Sequence, residues 1–243
     1  MAYRLVLAYD GTGFQGFQRQ ATGRTVQGEL ESALTRITRM EAPVVAASRT
    51  DSGVHAAGQV AVWSPGGCRI PPDRLVTALN AQLLPEIVVR GCEAVPDGVD
   101  PRRAARAKTY SYRIWTGGPP DPFTARFVWW MDGPLSLTAL NRLARCFLGP
   151  HDFWAFRGEG SSARTTERVI YAAGWAVERE TWIFRVTGNG FLYHMVRMMV
   201  GAMVEEVARG RTGLIARSLA EPRRGKAAPP APAHGLCLDR VEF

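Results

Sequence analysis

Tyr3, Leu5, Leu7 and Tyr9 alternate with Arg4, Val6 and Ala8, the period of two expected of a strand with one buried face. From Val26 the period lengthens. Val26, Leu30, Ala33, Leu34 and Ile37 recur at helical spacing, with Thr25 placed to cap the first turn. Two short strand-like runs follow at residues 43–47 and 59–63. A helix opened by Pro71-Pro72-Asp73 then carries Leu75, Val76, Leu79 and Leu83 on one face, and residues 87–95 form a further strand. The order is βαββαβ.

The same order returns in the second half. Residues 109–115 alternate as a strand, 136–147 read as a helix stopped by Gly149-Pro150, 169–177 and 182–186 as strands, 191–207 as a helix, and 236–241 as a closing strand. These patterns predict an α+β chain of two tandem ferredoxin-like units, a topology also used by RNA-recognition modules. Pairing of their sheets would leave a central cleft. The expected boundary lies near Arg102-Arg103-Ala104, dividing 1–104 from 105–243, and only element order, not sequence, repeats between the halves. Residues 223–234, rich in Ala and Pro, read as an exposed and partly extended connector.

With 243 residues, 46% of them hydrophobic, the chain can bury one large core or two modest ones. Thirty Lys and Arg against 22 Asp and Glu give a formal charge of +8, with arginines scattered throughout, so a polyanionic partner is expected, nucleic acid first. Cys68, Cys92, Cys146 and Cys237 are far apart and form no metal or redox motif, which suits buried thiols in a reducing compartment. The opening residues carry no signal-peptide pattern and no apolar run is long enough to span a bilayer, so a cytoplasmic protein without membrane contact is expected. His55, His151, His194 and His234 lack metal-ligand spacing. No metal is expected; His55 reads as a hydrogen-bonding or RNA-contacting group and His194 as a core histidine.

Residues 11–16, Gly-Thr-Gly-Phe-Gln-Gly, spell G-x-G-x-x-G just after a strand. A dinucleotide fold needs its last glycine at a helix start, whereas the next helix begins near Thr25, and Asp10 would repel phosphates. The order βαββαβ also lacks the parallel crossover of that fold. Nicotinamide and flavin are therefore not expected.

Residues 48–56, Ser-Arg-Thr-Asp-Ser-Gly-Val-His-Ala, gather a guanidinium, a carboxylate and an imidazole into one short loop. Turn chemistry alone accounts for Asp-Ser-Gly. Between residues 191 and 204 the one full charge is Arg197, set among Met195, Val196, Met198, Met199 and Val200. A buried guanidinium wants a carboxylate, and Asp51 is the candidate; another acid, or a side chain that reaches to solvent, is the alternative. Residues 108–114, Lys-Thr-Tyr-Ser-Tyr-Arg-Ile, place Tyr110 and Tyr112 on one face of a strand, where packing into a core is the ordinary role.

The Asp51 loop resembles the catalytic-aspartate motif of the TruA-type tRNA pseudouridine synthases, Arg-Thr-Asp-Ala-Gly-Val-His, departing from it only at Ser52. Tyr9-Asp10-Gly11-Thr12, Gly16-Phe17-Gln18-Arg19-Gln20 and Arg24-Thr25-Val26-Gln27 resemble the opening pattern of that family, with Phe17 where a Trp is usual. Residues 191–197 resemble its arginine motif and 108–112 its Lys/Arg-x-Tyr-x-Tyr motif. Further similar segments lie at 80–85, 152–157, 164–165 and 232–236, so the likeness spans nearly the whole chain. It implies the pseudouridine synthase fold and uridine-to-pseudouridine isomerisation in the anticodon stem-loop of tRNA, at tRNA positions 38 to 40, by a cytoplasmic homodimer. No cofactor is implied. Asp51 would be the nucleophile at ribose C1′ or the base at C2′, Arg197 its partner, and Tyr110 the ring against the target uracil and a possible proton carrier; Arg49, His55, Lys108, Gln18 and Arg19 would contact the RNA. Two other readings stand beside it, a non-catalytic RNA-binding protein of the same architecture and a synthase acting on other uridines.

Overall fold

The computed structural model describes residues 1–161 and 163–243. Its elements run β1 (Ala2–Tyr9), α1 (Val26–Thr38), β2 (Val44–Ala46), β3 (His55–Trp63), α2 (Pro72–Leu83), β4 (Ile87–Val95) and the short α3 (Pro101–Ala104). There follow β5 (Ala107–Trp115), β6 (Trp129–Trp130), α4 (Leu137–Arg145), β7 (Gly149–Asp152), β8 (Glu167–Glu178), β9 (Thr181–Gly188), α5 (Met195–Ala208), α6 (Leu214–Ala220) and β10 (Leu236–Glu242). They divide into two compact units, Met1–Arg106 with Cys237–Phe243, and Ala107–Leu236.

In the first unit β1 lies between β4 and β3, antiparallel to both, and β2 pairs with the outer edge of β3. That is the ferredoxin-like order read from the alternation. Tyr3, Leu5 and Leu7 turn inward from β1, and Trp63 closes the same core from β3. Thr25 caps α1 by accepting the Gly28 N–H at 3.2 Å, and Val26, Leu30, Ala33 and Leu34 bury its inner face. In α2 a proline takes the first turn, where an N–H has no helical partner, and Leu75, Leu79 and Leu83 face inward. Because β2 covers only residues 61–63 of β3, the other end of that edge is open to β10, which pairs parallel to it at Cys237–His55 and Leu238–Ala56. The closing strand, expected with the second half of the sequence, thus completes the first unit.

In the second unit β9 pairs antiparallel with β5 and β8, β8 with β7, and β6 lies parallel to the end of β5. Ser136 caps α4 through the Ala139 N–H at 3.3 Å, and Asn141 ties that helix to β8, its amide bonding the Trp175 carbonyl and N–H at 3.0 and 2.8 Å. The run read as a helix from residue 191 begins helical hydrogen bonding only at Met195, since His194 sits at φ 61°, outside the helical region. The connector at 223–234 is exposed only in part. Ala227, Ala228 and Ala231 are buried; the Ala227 N–H bonds the Ala155 carbonyl and the Ala231 N–H the Arg197 carbonyl, each at 3.0 Å. Small side chains let this strap lie on α5, where Gly201 leaves room for the Pro229 carbonyl.

Candidate active site

In the first unit the structure gathers the loop residues around a buried polar lattice. The Tyr9 hydroxyl lies 2.8 Å from Thr50 Oγ1. Gln59, fully buried, donates to the Ser48 carbonyl at 2.7 Å and accepts the Ser48 and Val60 N–H groups at 3.3 and 3.2 Å. The chain just before Asp51 is thereby held on buried and part-buried bonds, where an unmade bond is costly. Val54 N–H closes the turn on the Asp51 carbonyl at 3.1 Å, and Asp51 itself is half-buried.

The glycine loop packs face to face on this turn. Phe17 N–H donates to the Thr50 carbonyl at 3.0 Å, and Gly53 N–H and the Ser52 hydroxyl donate to the Phe14 carbonyl at 3.3 and 3.2 Å. A β-carbon on Gly11 would stand 2.1 Å from the Val54 carbonyl oxygen, and one on Gly16, at φ +84°, 2.7 Å from that of Thr50. The glycines that spell a nucleotide motif are there so that two loops can touch.

His55 is buried, and its Nδ1 accepts the Gly11 N–H at 3.0 Å, with Asp10 Oδ1 at 3.2 Å. The ring joins the two loops. Arg49, Gln18 and Arg19 are exposed. Arg19 is ion-paired to Glu31, whose buried carboxylate also accepts the Val44 N–H and the Gln27 amide, each at 2.8 Å.

In the second unit Lys108 and Tyr110 follow each other on one face of β5. Tyr110 is 5% exposed, with the Phe191 ring edge-on at 5.1 Å. Phe191 precedes α5, so Tyr110 and Arg197 belong to elements in direct contact. Burial, with the Arg168 charge as a smaller cause, pushes the Lys108 ammonium down to about 8. Tyr112, two residues on, is wholly buried and donates to the Pro232 carbonyl at 2.8 Å; burial raises its phenol far above the usual range, which makes it a core residue. Arg197 is half-buried rather than enclosed, and its Nε donates to the Ala231 carbonyl at 2.7 Å, so the strap fixes the plane of the guanidinium. Burial lowers the His234 imidazole pKa, against a hydrogen bond to Val128, and the Arg197 charge lowers it further. His194, expected in the core, is half-buried and stacks on Tyr193 at 3.8 Å.

Local pattern does not mark Tyr9, Thr50 or Ala231 as supports of the candidate residues. Gln59 left one trace, an amide inside an otherwise apolar strand. Among the described residues no cluster of His, Cys, Asp and Glu could hold a metal ion, and no helix is long and apolar enough to cross a membrane.

A sequence model of the family described as tRNA pseudouridine synthase matches residues 5–102 and 143–243. Among curated relatives, tRNA pseudouridine synthase A of Moorella thermoacetica is 43% identical over 99% of this chain and 98% of its own. Those of Geobacter sulfurreducens and Halalkalibacterium halodurans are 39% and 40% identical, covering 99% and 97% of this chain and 98% and 90% of theirs. A chain from a solved Cbf5-Nop10-Gar1 complex is similar over 83% of this chain and 44% of its own, with TM-score 0.36 and 12% identity.

Proposed function

The chain belongs to the tRNA pseudouridine synthase family, and from that membership we propose that Asp51, Tyr110 and Arg197 act together on one uridine extruded from tRNA. The reaction breaks the N1–C1′ bond and forms a C5–C1′ bond between the same ribose and uracil. Atoms and electrons balance within the substrate, so the chemistry calls for no reductant or oxidant. Extrusion is required because the bond to be broken is out of reach in a stacked helix.

Asp51 acts at the ribose, as nucleophile at C1′ or as base toward the hydrogen on C2′. Arg197 offsets the charge that develops on the departing uracil. The ring of Tyr110 packs the free base while it turns to present C5, and its hydroxyl carries the C5 proton away. Arg49, Gln18, Arg19 and Lys108 serve the RNA backbone, and His55, through Gly11, steadies the loop that carries Asp51. The motif likeness favours the anticodon stem-loop as target and a homodimer as the working form. The observation that carries this reading is the Asp51 loop itself, in which a half-buried carboxylate follows a backbone fixed by the Tyr9–Thr50 and Gln59–Ser48 hydrogen bonds.

Asp51→Ala removes one loop carboxylate and leaves the phosphate contacts, so pseudouridine formation in tRNA is expected to vanish while tRNA binding persists or tightens. Single-turnover assays with filter binding check this. Residual turnover within about a hundredfold of wild type would overturn the role of Asp51, since loss of a covalent catalyst costs far more.

A further inference from the structure

The reading of tRNA as substrate leaves a cleft in the second unit without a role. It has a volume of about 450 Å³ and lies beside Trp154, lined in part by Arg157, Arg164 and Arg223, which come from three separate stretches of chain. We propose that this cleft holds a backbone phosphate of the tRNA, at a nucleotide other than the one that reacts. The proposal rests on the substrate reading above and adds a second point of attachment to it.

Three arginines line the cleft, and Lys226 packs on the ring of Trp154, which also lines it. The Arg157 guanidinium lies 5.5 Å from the centre of the Trp154 ring and the Lys226 ammonium 4.5 Å from it, and Lys226 Nζ donates to the Arg157 carbonyl at 2.6 Å. Two carboxylates, Asp152 and Glu167, also line the cleft, and Asp152 accepts the Trp154 N–H at 3.0 Å. Cations therefore exceed anions. Arg157 Nε is buried with no hydrogen-bond partner, a donor left unmet in a setting where unmet donors are rare and costly. Burial lowers the Lys226 ammonium pKa and the Arg157 charge lowers it further, against a smaller opposing effect of Glu159. An anion in the cleft would offset the excess of positive charge there.

The chemistry selects phosphate. The indole already carries two cations against its ring, which favours an anion over a stacked base. Guanidinium groups reaching in from separate segments match a tetrahedral oxyanion, the setting in which Arg is preferred to Lys. Arg164 and Arg223 are exposed, so their removal spares the core.

The test compares the double variant Arg164→Gln/Arg223→Gln with Arg179→Gln/Arg185→Gln, a charge-matched control on exposed arginines just after β8 and on β9. Melting curves confirm that each variant is folded. For the double variant, tRNA affinity near physiological salt is expected to fall about tenfold, and the slope of log affinity against log salt to become shallower by about one. The control keeps the wild-type slope. Equal affinity and slope for the double variant and wild type would overturn the proposal. So would a result in which inorganic phosphate raises the melting temperature of wild type and not of the double variant while tRNA binding is unchanged, since the cleft would then take the free anion. A wild-type protein that neither binds tRNA nor forms pseudouridine would overturn the substrate reading, and this proposal with it.

Discussion

Tyr110 offers two chemically separate handles, a ring that Phe191 holds edge-on and a hydroxyl, and substitution distinguishes them. Tyr110→Phe keeps the ring, so tRNA affinity should hold, while turnover collapses if the hydroxyl carries the C5 proton. Tyr110→Ala should also lose affinity, by up to the roughly 1 to 3 kcal/mol of a base–aromatic stack. Single-turnover pseudouridine formation beside filter binding reads both, and a Phe variant as fast as wild type would reduce Tyr110 to a platform. Lys108 invites a pH experiment. Its folded pKa, about 8, lies below the ordinary 10.5. The folded protein therefore resists the proton that the unfolded chain accepts; the penalty is fully present below pH 8 and is relieved as pH rises toward 10.5. Lys108→Met should melt higher than wild type at pH 7, with the gap closing as pH is raised, and a gap constant with pH would show that the ammonium is not the cause. At this scale the sequence disclosed which residue types carry chemistry. It did not disclose their settings, because the bonds that hold Ser48, Thr50 and Arg197 come from residues 11 to 41 positions away, at Gln59, Tyr9 and Ala231.

Loops pressed against loops are what an element-level reading could not foresee. Helices and strands with strict periods appear within a few residues of where periodicity places them, as in α1 and β1, because one face of each is buried for most of its length. β7 carries no strand signal, since Gly149-Pro150 reads as a helix stop, and the buried alanines of the Ala/Pro strap are hidden because their burial depends on a partner helix rather than on their own pattern. The residue 11–16 loop shows the same limit, as Gly11 and Gly16 answer to Val54 and Thr50, 43 and 34 positions away. Gly16→Ala forces a side chain into left-handed backbone at a strain of about 1 to 2 kcal/mol and adds a close contact with the Thr50 carbonyl. The variant should melt at lower temperature and lose turnover far more than tRNA affinity. Wild-type turnover in a folded Gly16→Ala protein would mean that the Asp51 loop tolerates displacement.

Over the whole molecule, the charge of +8 is the property with the widest reach. If roughly five phosphates are neutralised, log affinity for tRNA should fall against log salt with a slope of about −3 to −5, and a flat response in a salt titration would remove the electrostatic basis of binding. The fold class and the functional family were both legible, the first from the twice-repeated order of periodic elements and the second from motifs dispersed over the chain. What stayed hidden was the destination of β10, because a parallel pairing with β3 leaves no mark in local pattern. That pairing sets an order of events in the making of the protein. The edge of β3 awaits a strand encoded about 170 residues downstream, and at roughly 5 to 20 residues per second the ribosome needs about 10 to 35 seconds to deliver it. During that interval the nascent first unit presents part of an open strand edge while an entire second unit is translated and folds. Synonymous changes that slow translation between codons 64 and 236 should therefore lengthen the exposure of this edge to chaperones and to mispairing, without altering one residue of the finished enzyme.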